Sequence, residues 1–134
     1  MRFAQIVLAC VVSASLVSQA PAEDVKPELR ESLEKLIPEG IRLLTKKEFV
    51  PFVKAYVPPE ELKKILKRMS LEEFAEKFGK SKAGRLLDVL KEIKDATPEM
   101  NDEKTKAVYK LKSSIGGKQS ITFQKIEKYW YIEN

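Results

Sequence analysis

The chain has 134 residues, with 25 Lys and Arg against 20 Asp and Glu, one cysteine and no histidine. That length allows one domain. Without histidine there is no Ser-His-Asp triad, no Cys-His pair and no histidine zinc site, so an enzyme here would depend on carboxylates, lysines, tyrosines or an oxygen-ligated metal.

The N-terminus reads as a secretory leader. Arg2 precedes an apolar run over residues 3–17, and Ala20-Pro21-Ala22 supplies small residues for a peptidase, with cleavage expected after Ala22. The run is shorter than the roughly 20 apolar residues of a membrane span. Residues 1–22 are therefore expected to be a signal peptide, and 23–134 a single secreted or periplasmic domain with no membrane span. Cys10 lies inside the leader, so this domain contains no cysteine and no disulfide.

Residues 23–96 carry helical patterns. Asp24 is placed to cap a first helix with Pro27 in its first turn, and Val25, Leu29, Leu33, Leu36 and Ile37 form one apolar stripe. Pro38 and Gly40 are expected to stop it. Thr45 and Glu48 have the spacing of a capping box, followed by Phe49, Val50, Phe52, Val53, Tyr56 and Val57. Pro51 is expected to shorten or kink that helix. Pro59 opens a third helix, with Glu60 and Glu61 at its start and Lys67 and Arg68 at its end. Ser70 and Glu73 form a second capping box for a short helix through Phe74, Ala75 and Phe78 to Gly79. Ser81 is placed to cap a fifth helix carrying Ala83, Leu86, Leu87, Leu90 and Ile93. Residues 96–104 read as a loop, with a brief strand at Glu99 and Met100.

From 105 to 132 the period changes to two. Ala107, Tyr109 and Leu111 share one strand face, and Lys106, Val108 and Lys110 share the other. Ile121 and Phe123 alternate with Thr122 and Gln124. Gly116-Gly117 marks a hairpin loop, and Glu127-Lys128 a tight turn. Helices followed by strands predict an α+β fold, with N-terminal helices on one face of a small C-terminal antiparallel sheet of three to four strands.

The motifs Ala107-Val-Tyr-Lys-Leu111, Ile121-Thr-Phe-Gln-Lys-Ile126 and Tyr129-Trp-Tyr-Ile132, with the helix at Lys47-Glu-Phe-Val-Pro-Phe-Val53, resemble small secreted members of the nuclear transport factor 2-like (cystatin-like) superfamily. The resemblance implies a cone-shaped α+β fold with a ligand cavity between helices and sheet. It also implies dimerisation through the sheet face, and in some relatives an enzyme with tyrosine and carboxylate groups in the cavity. Two features depart from the pattern. Glu127-Lys128 replaces the usual Asp-Gly turn, and only three strands are clear.

No complete catalytic or metal motif is present. Glu72 with Glu76, and Asp88 with Glu92, have helical spacing but lie among lysines and arginines, as a solvated face does. The oxygen-rich loop of Asp95, Glu99, Asn101, Asp102 and Glu103 lacks the register of a calcium loop. No metal, cofactor or catalytic residue is expected. Charge is uneven: residues 23–104 hold 18 basic and 18 acidic side chains, whereas 105–134 hold six lysines and two glutamates. Lys106 and Lys110 then either keep the sheet soluble or meet a polyanion. Phe49, Phe52, Tyr109, Phe123 and Trp130 either fill the core or line a ligand pocket. The expected role is a non-enzymatic module that binds a small apolar ligand or a protein. Nucleic acid is disfavoured by secretion. The alternatives are a tyrosine and carboxylate enzyme or a polyanion-binding module.

Overall fold

The computed structural model describes residues 24–133. The expected leader, its cleavage site after Ala22 and Cys10 lie outside these residues. Among the described residues six helices precede four strands: α1 (Pro27–Arg30), α2 (Leu33–Thr45), α3 (Phe49–Tyr56), α4 (Pro59–Leu66), α5 (Leu71–Ser81), α6 (Ala83–Ile93), β1 (Glu99–Met100), β2 (Lys106–Ile115), β3 (Lys118–Ile126) and β4 (Tyr129–Ile132). The strands form one antiparallel meander in the order β1-β2-β3-β4. The helices pack against the sheet, so the fold is α+β. Among the described residues no helix is long and apolar enough to cross a membrane.

The first helix breaks earlier than its prolines suggest. The chain leaves α1 at Glu31, and Ser32, in extended conformation, starts α2. Helix α2 then runs through Pro38 and Gly40. Leu36, Ile37, Gly40, Leu43 and Leu44 are buried on one stripe. Burying that stripe outweighs the roughly 3 kcal/mol that an interior proline costs. Asp24 caps no helix; its carboxylate pairs with Lys54 Nζ at 2.9 Å.

The expected capping box at Thr45 does not form. Thr45 ends α2, Lys47 takes φ 60°, and the amides of Lys47 and Glu48 donate to the carbonyls of Leu44 and Leu43. These are the two bonds of a Schellman C-cap, so the residues that could open α3 close α2 instead. Consequently α3 starts at Phe49 and Pro51 falls in its first turn, where an amide has no helical acceptor. The helix is short, at 8 residues, and its proline costs it no hydrogen bond.

At Ser70 the cap does form: its Oγ accepts from the Glu73 amide at 3.1 Å. Helix α5 passes Gly79 and continues to Ser81, whose hydroxyl donates to the Lys77 carbonyl at 2.8 Å rather than capping α6. Gly79 is retained because Phe49 lies against it. A Cβ there would stand 2.4 Å from Phe49 Cε2.

On the sheet, Ala107, Tyr109, Phe123 and Trp130 are buried in the core with Leu36, Leu43, Phe52, Tyr56, Leu90 and Ile93. Helix α6 lies over β2, and the Glu92 carboxylate accepts from the Lys112 amide where the pairing of β2 with β3 becomes irregular. At the opposite edge, Arg30 ties α1 to β4. Its guanidinium sits 4.4 Å from the Tyr129 ring centroid and donates to Tyr131 Oη at 3.1 Å.

Candidate functional site: a cleft between helices and sheet

A cleft of about 790 Å³ opens between α3–α6 and the β3–β4 side of the sheet. Its apolar lining comes from both layers. The helices give Phe52, Tyr56, Phe74, Phe78, Leu86 and Val89, and the strands give Ile115, Ile121 and Ile132. Ile65 and Met69, on and just after α4, complete the rim.

Beneath the cleft the aromatic rings form a buried stack. Phe52 lies face to face with Tyr56 (centroids 4.1 Å apart, 7° between planes) and with Phe78 (5.4 Å, 16°). The stack is possible because 52 and 56 are one helical turn apart on α3, and Phe78 projects from α5 packed beside it. Tyr56 is 1% exposed, and its hydroxyl donates to the Leu36 carbonyl at 2.5 Å. Burial pushes this phenol well above its ordinary pKa, and the Glu39 carboxylate adds to that against the opposing Arg30 and Arg42 charges. It is neutral at physiological pH and acts as a fixed hydrogen-bond donor.

Helix α4 contributes an unusual wall. It is amphipathic yet buries no residue, and Leu66 is 43% exposed. Its neighbours Ile65 and Met69 face the cleft, not a partner layer.

The rim is charged. Lys77, Lys82, Arg85 and Lys118 border the cleft, as do Glu61 and Glu133. Arg85 lies against the β2–β3 turn, since a Cβ on Gly116 would meet Arg85 Cδ at 2.6 Å. That contact brings the α5–α6 junction and the hairpin turn to the same end of the cleft.

The residues singled out in the sequence fall in different places. Phe52 lines the cleft. Phe49 packs edge-on against Phe78 (6.0 Å), beside the cleft and not on its wall. Tyr109 and Phe123 meet edge-on at 5.7 Å inside the core, and Trp130 is buried with Lys125 Nζ 5.9 Å from its ring centroid. The Tyr109 phenol is raised in pKa by desolvation first and by the Glu34 carboxylate second. Lys106 and Lys110 project from the outer sheet face, where each has a carboxylate 3.2 Å away, from Glu133 and Glu99 respectively.

The carboxylate pairs also separate. Glu92 serves β2, and Glu76 lies 3.8 Å from Lys80. In the 96–104 loop, Asn101 Oδ1 accepts from the amides of Thr105 and Lys106, which is turn architecture. Among the described residues no three of His, Cys, Asp and Glu are placed to hold a metal ion.

Tyr56, Phe74, Phe78 and Leu86 were legible only as helical core positions, and Val89 fell outside the expected stripe of its helix. One signal could have marked them: Phe74, Phe78, Arg85 and Val89 keep helical spacing across the α5–α6 junction, with a cation, Arg85, in the place of an apolar residue. No protein-family model, curated protein or solved structure matches the chain. The site is therefore read from its own geometry.

Proposed function

We propose that this chain is a secreted or periplasmic binding module, not an enzyme, and that it holds a small apolar ligand in the cleft between helices and sheet. The observation that carries the reading is the cleft itself. Its volume of about 790 Å³ lies within the range of about 300–1,000 Å³ typical of small-molecule sites, and its walls are aromatic and aliphatic with a few polar groups at the rim. Helix α4 supports it. An amphipathic helix with no fully buried residue leaves part of its apolar surface without protein cover, and a ligand would supply that cover. The lysines of the outer sheet face already have carboxylates beside them, which favours the cleft over that face. Export is supported by the leader-like pattern of Arg2, the apolar run 3–17 and Ala20-Pro21-Ala22.

The test uses an uncharged apolar probe, 1-dodecanol, titrated into the purified protein and followed by calorimetry. One saturable site is expected, abolished by Leu86→Trp or Ile121→Trp, each of which fills the cleft from a partly buried position. If the wild-type protein takes up no dodecanol saturably, the reading fails. Export is checked separately by the mass of the protein recovered from the periplasm or medium, which should correspond to cleavage after Ala22.

A further inference from the structure

The geometry points to a single-chain anionic amphiphile as the ligand: a free carboxylic acid with its alkyl tail against the half-buried Phe74, Leu86, Ile121 and Ile132 and its head at the α5–α6 junction. This rests on the cleft being a binding site and adds the chemical class of what binds. The cleft is electrostatically lopsided. Lys82 and Arg85 stand at the start of α6, and Arg85 touches the hairpin turn that precedes Lys118. Neither these three nor Lys77 forms an ion pair with a carboxylate among the described residues. The cleft's two carboxylates come from other elements, Glu61 from α4 and Glu133 from the end of β4. The Glu133 amide donates to the Thr122 carbonyl, four residues along β3 from Lys118, or about 13 Å at strand rise, and its carboxylate faces Lys106.

Cations gathered at one end of an apolar trough match a ligand with one charged end. An uncharged hydrocarbon would leave those charges unanswered. A polyanion would have no use for the apolar walls. A fatty carboxylate satisfies both parts, because its tail is covered by the half-buried apolar walls while its head meets the lysines and the Arg85 guanidinium, which makes no ion pair among the described residues and has one nitrogen donating to the Ser81 carbonyl at 3.1 Å.

The experiment titrates the full-length protein with monomeric dodecanoate and, in parallel, with 1-dodecanol. Dodecanoate is expected to bind about tenfold more tightly at low salt, and the advantage should shrink as salt is raised. The double substitution Lys82→Glu/Arg85→Glu should remove the advantage and leave dodecanol binding intact. Lys80→Glu, an exposed site outside the cleft lining, should change neither. Thermal unfolding confirms that each variant is folded. Equal binding of the two probes would overturn the anionic class and leave the apolar site standing. Binding of neither probe would overturn both. A dodecanoate preference that survives the double reversal would overturn the placement of the head. Sedimentation with anionic phospholipid vesicles, without binding of monomeric dodecanoate, would overturn the free acid as ligand.

Discussion

Replacing Tyr56 with Phe separates a hydrogen bond from a protonation effect at one atom. Tyr56 is buried at the floor of the cleft, and its hydroxyl donates to the Leu36 carbonyl. At pH 7 the substitution removes that bond and costs about 1 kcal/mol. The thermal midpoint of a domain this size should fall by about 3–6 °C. At high pH the sign changes. The folded phenol is held neutral well above its ordinary value of 10.0, so between pH 10 and its folded pKa the native state holds a proton that the unfolded chain has lost. The stability this contributes is complete below pH 10 and declines as pH rises. At pH 11 the decline attributable to Tyr56 is about 1.4 kcal/mol. The Phe variant does not suffer it, so the deficit of about 1 kcal/mol at pH 7 should vanish or slightly invert at pH 11. Tyr109, whose phenol is also raised by burial, is common to both proteins and cancels. Urea unfolding followed by the fluorescence of Trp130, the chain's one tryptophan, measures both numbers. A difference that stays constant from pH 7 to pH 11 would refute the buried, neutral phenol.

Two helix glycines should respond in opposite directions. Gly79→Ala drives a Cβ to 2.4 Å from the Phe49 ring, and overpacking of about 1–3 kcal/mol should exceed the helix-propensity gain of about 1 kcal/mol. Gly84→Ala meets nothing within 4 Å and should stabilise by about 0.5–1 kcal/mol; denaturation midpoints that move together would contradict this. Arg30→Ala should cost about 1–2 kcal/mol through loss of the Tyr129 and Tyr131 contacts, and Arg30→Lys should recover little because the bond and the stacking need a planar guanidinium. Ser70→Ala should cost about 1 kcal/mol by leaving the Glu73 amide uncapped, read from the same unfolding curves.

Local pattern by itself determined the α+β class, the order of helices before strands, the brief β1, the cap at Ser70 and the hairpins at Gly116-Gly117 and Glu127-Lys128. Each depends on spacing between near neighbours: the 3.6 period of an amphipathic helix, the alternation of a half-buried strand, and turn residues at fixed offsets. The turn at Glu127 formed without a favoured residue, at φ 58°, because the strands on either side fix its length.

Tertiary structure alone decided the rest. Thr45, Lys47 and Glu48 suit either the start of one helix or the end of another. The buried stripe of α2 resolved the choice by carrying that helix through Pro38 to its Schellman cap. The same principle governed the site. Phe74 and Phe123 look alike as aromatic residues in apolar patterns, yet one is half-buried on the cleft wall and the other is closed in the core. Which side chains meet a void depends on how α4, α5 and α6 stand against β3, across separations of tens of residues. Periodicity reports which face of an element is apolar. It does not report how fully another layer covers that face, and at α4 the cover is only partial.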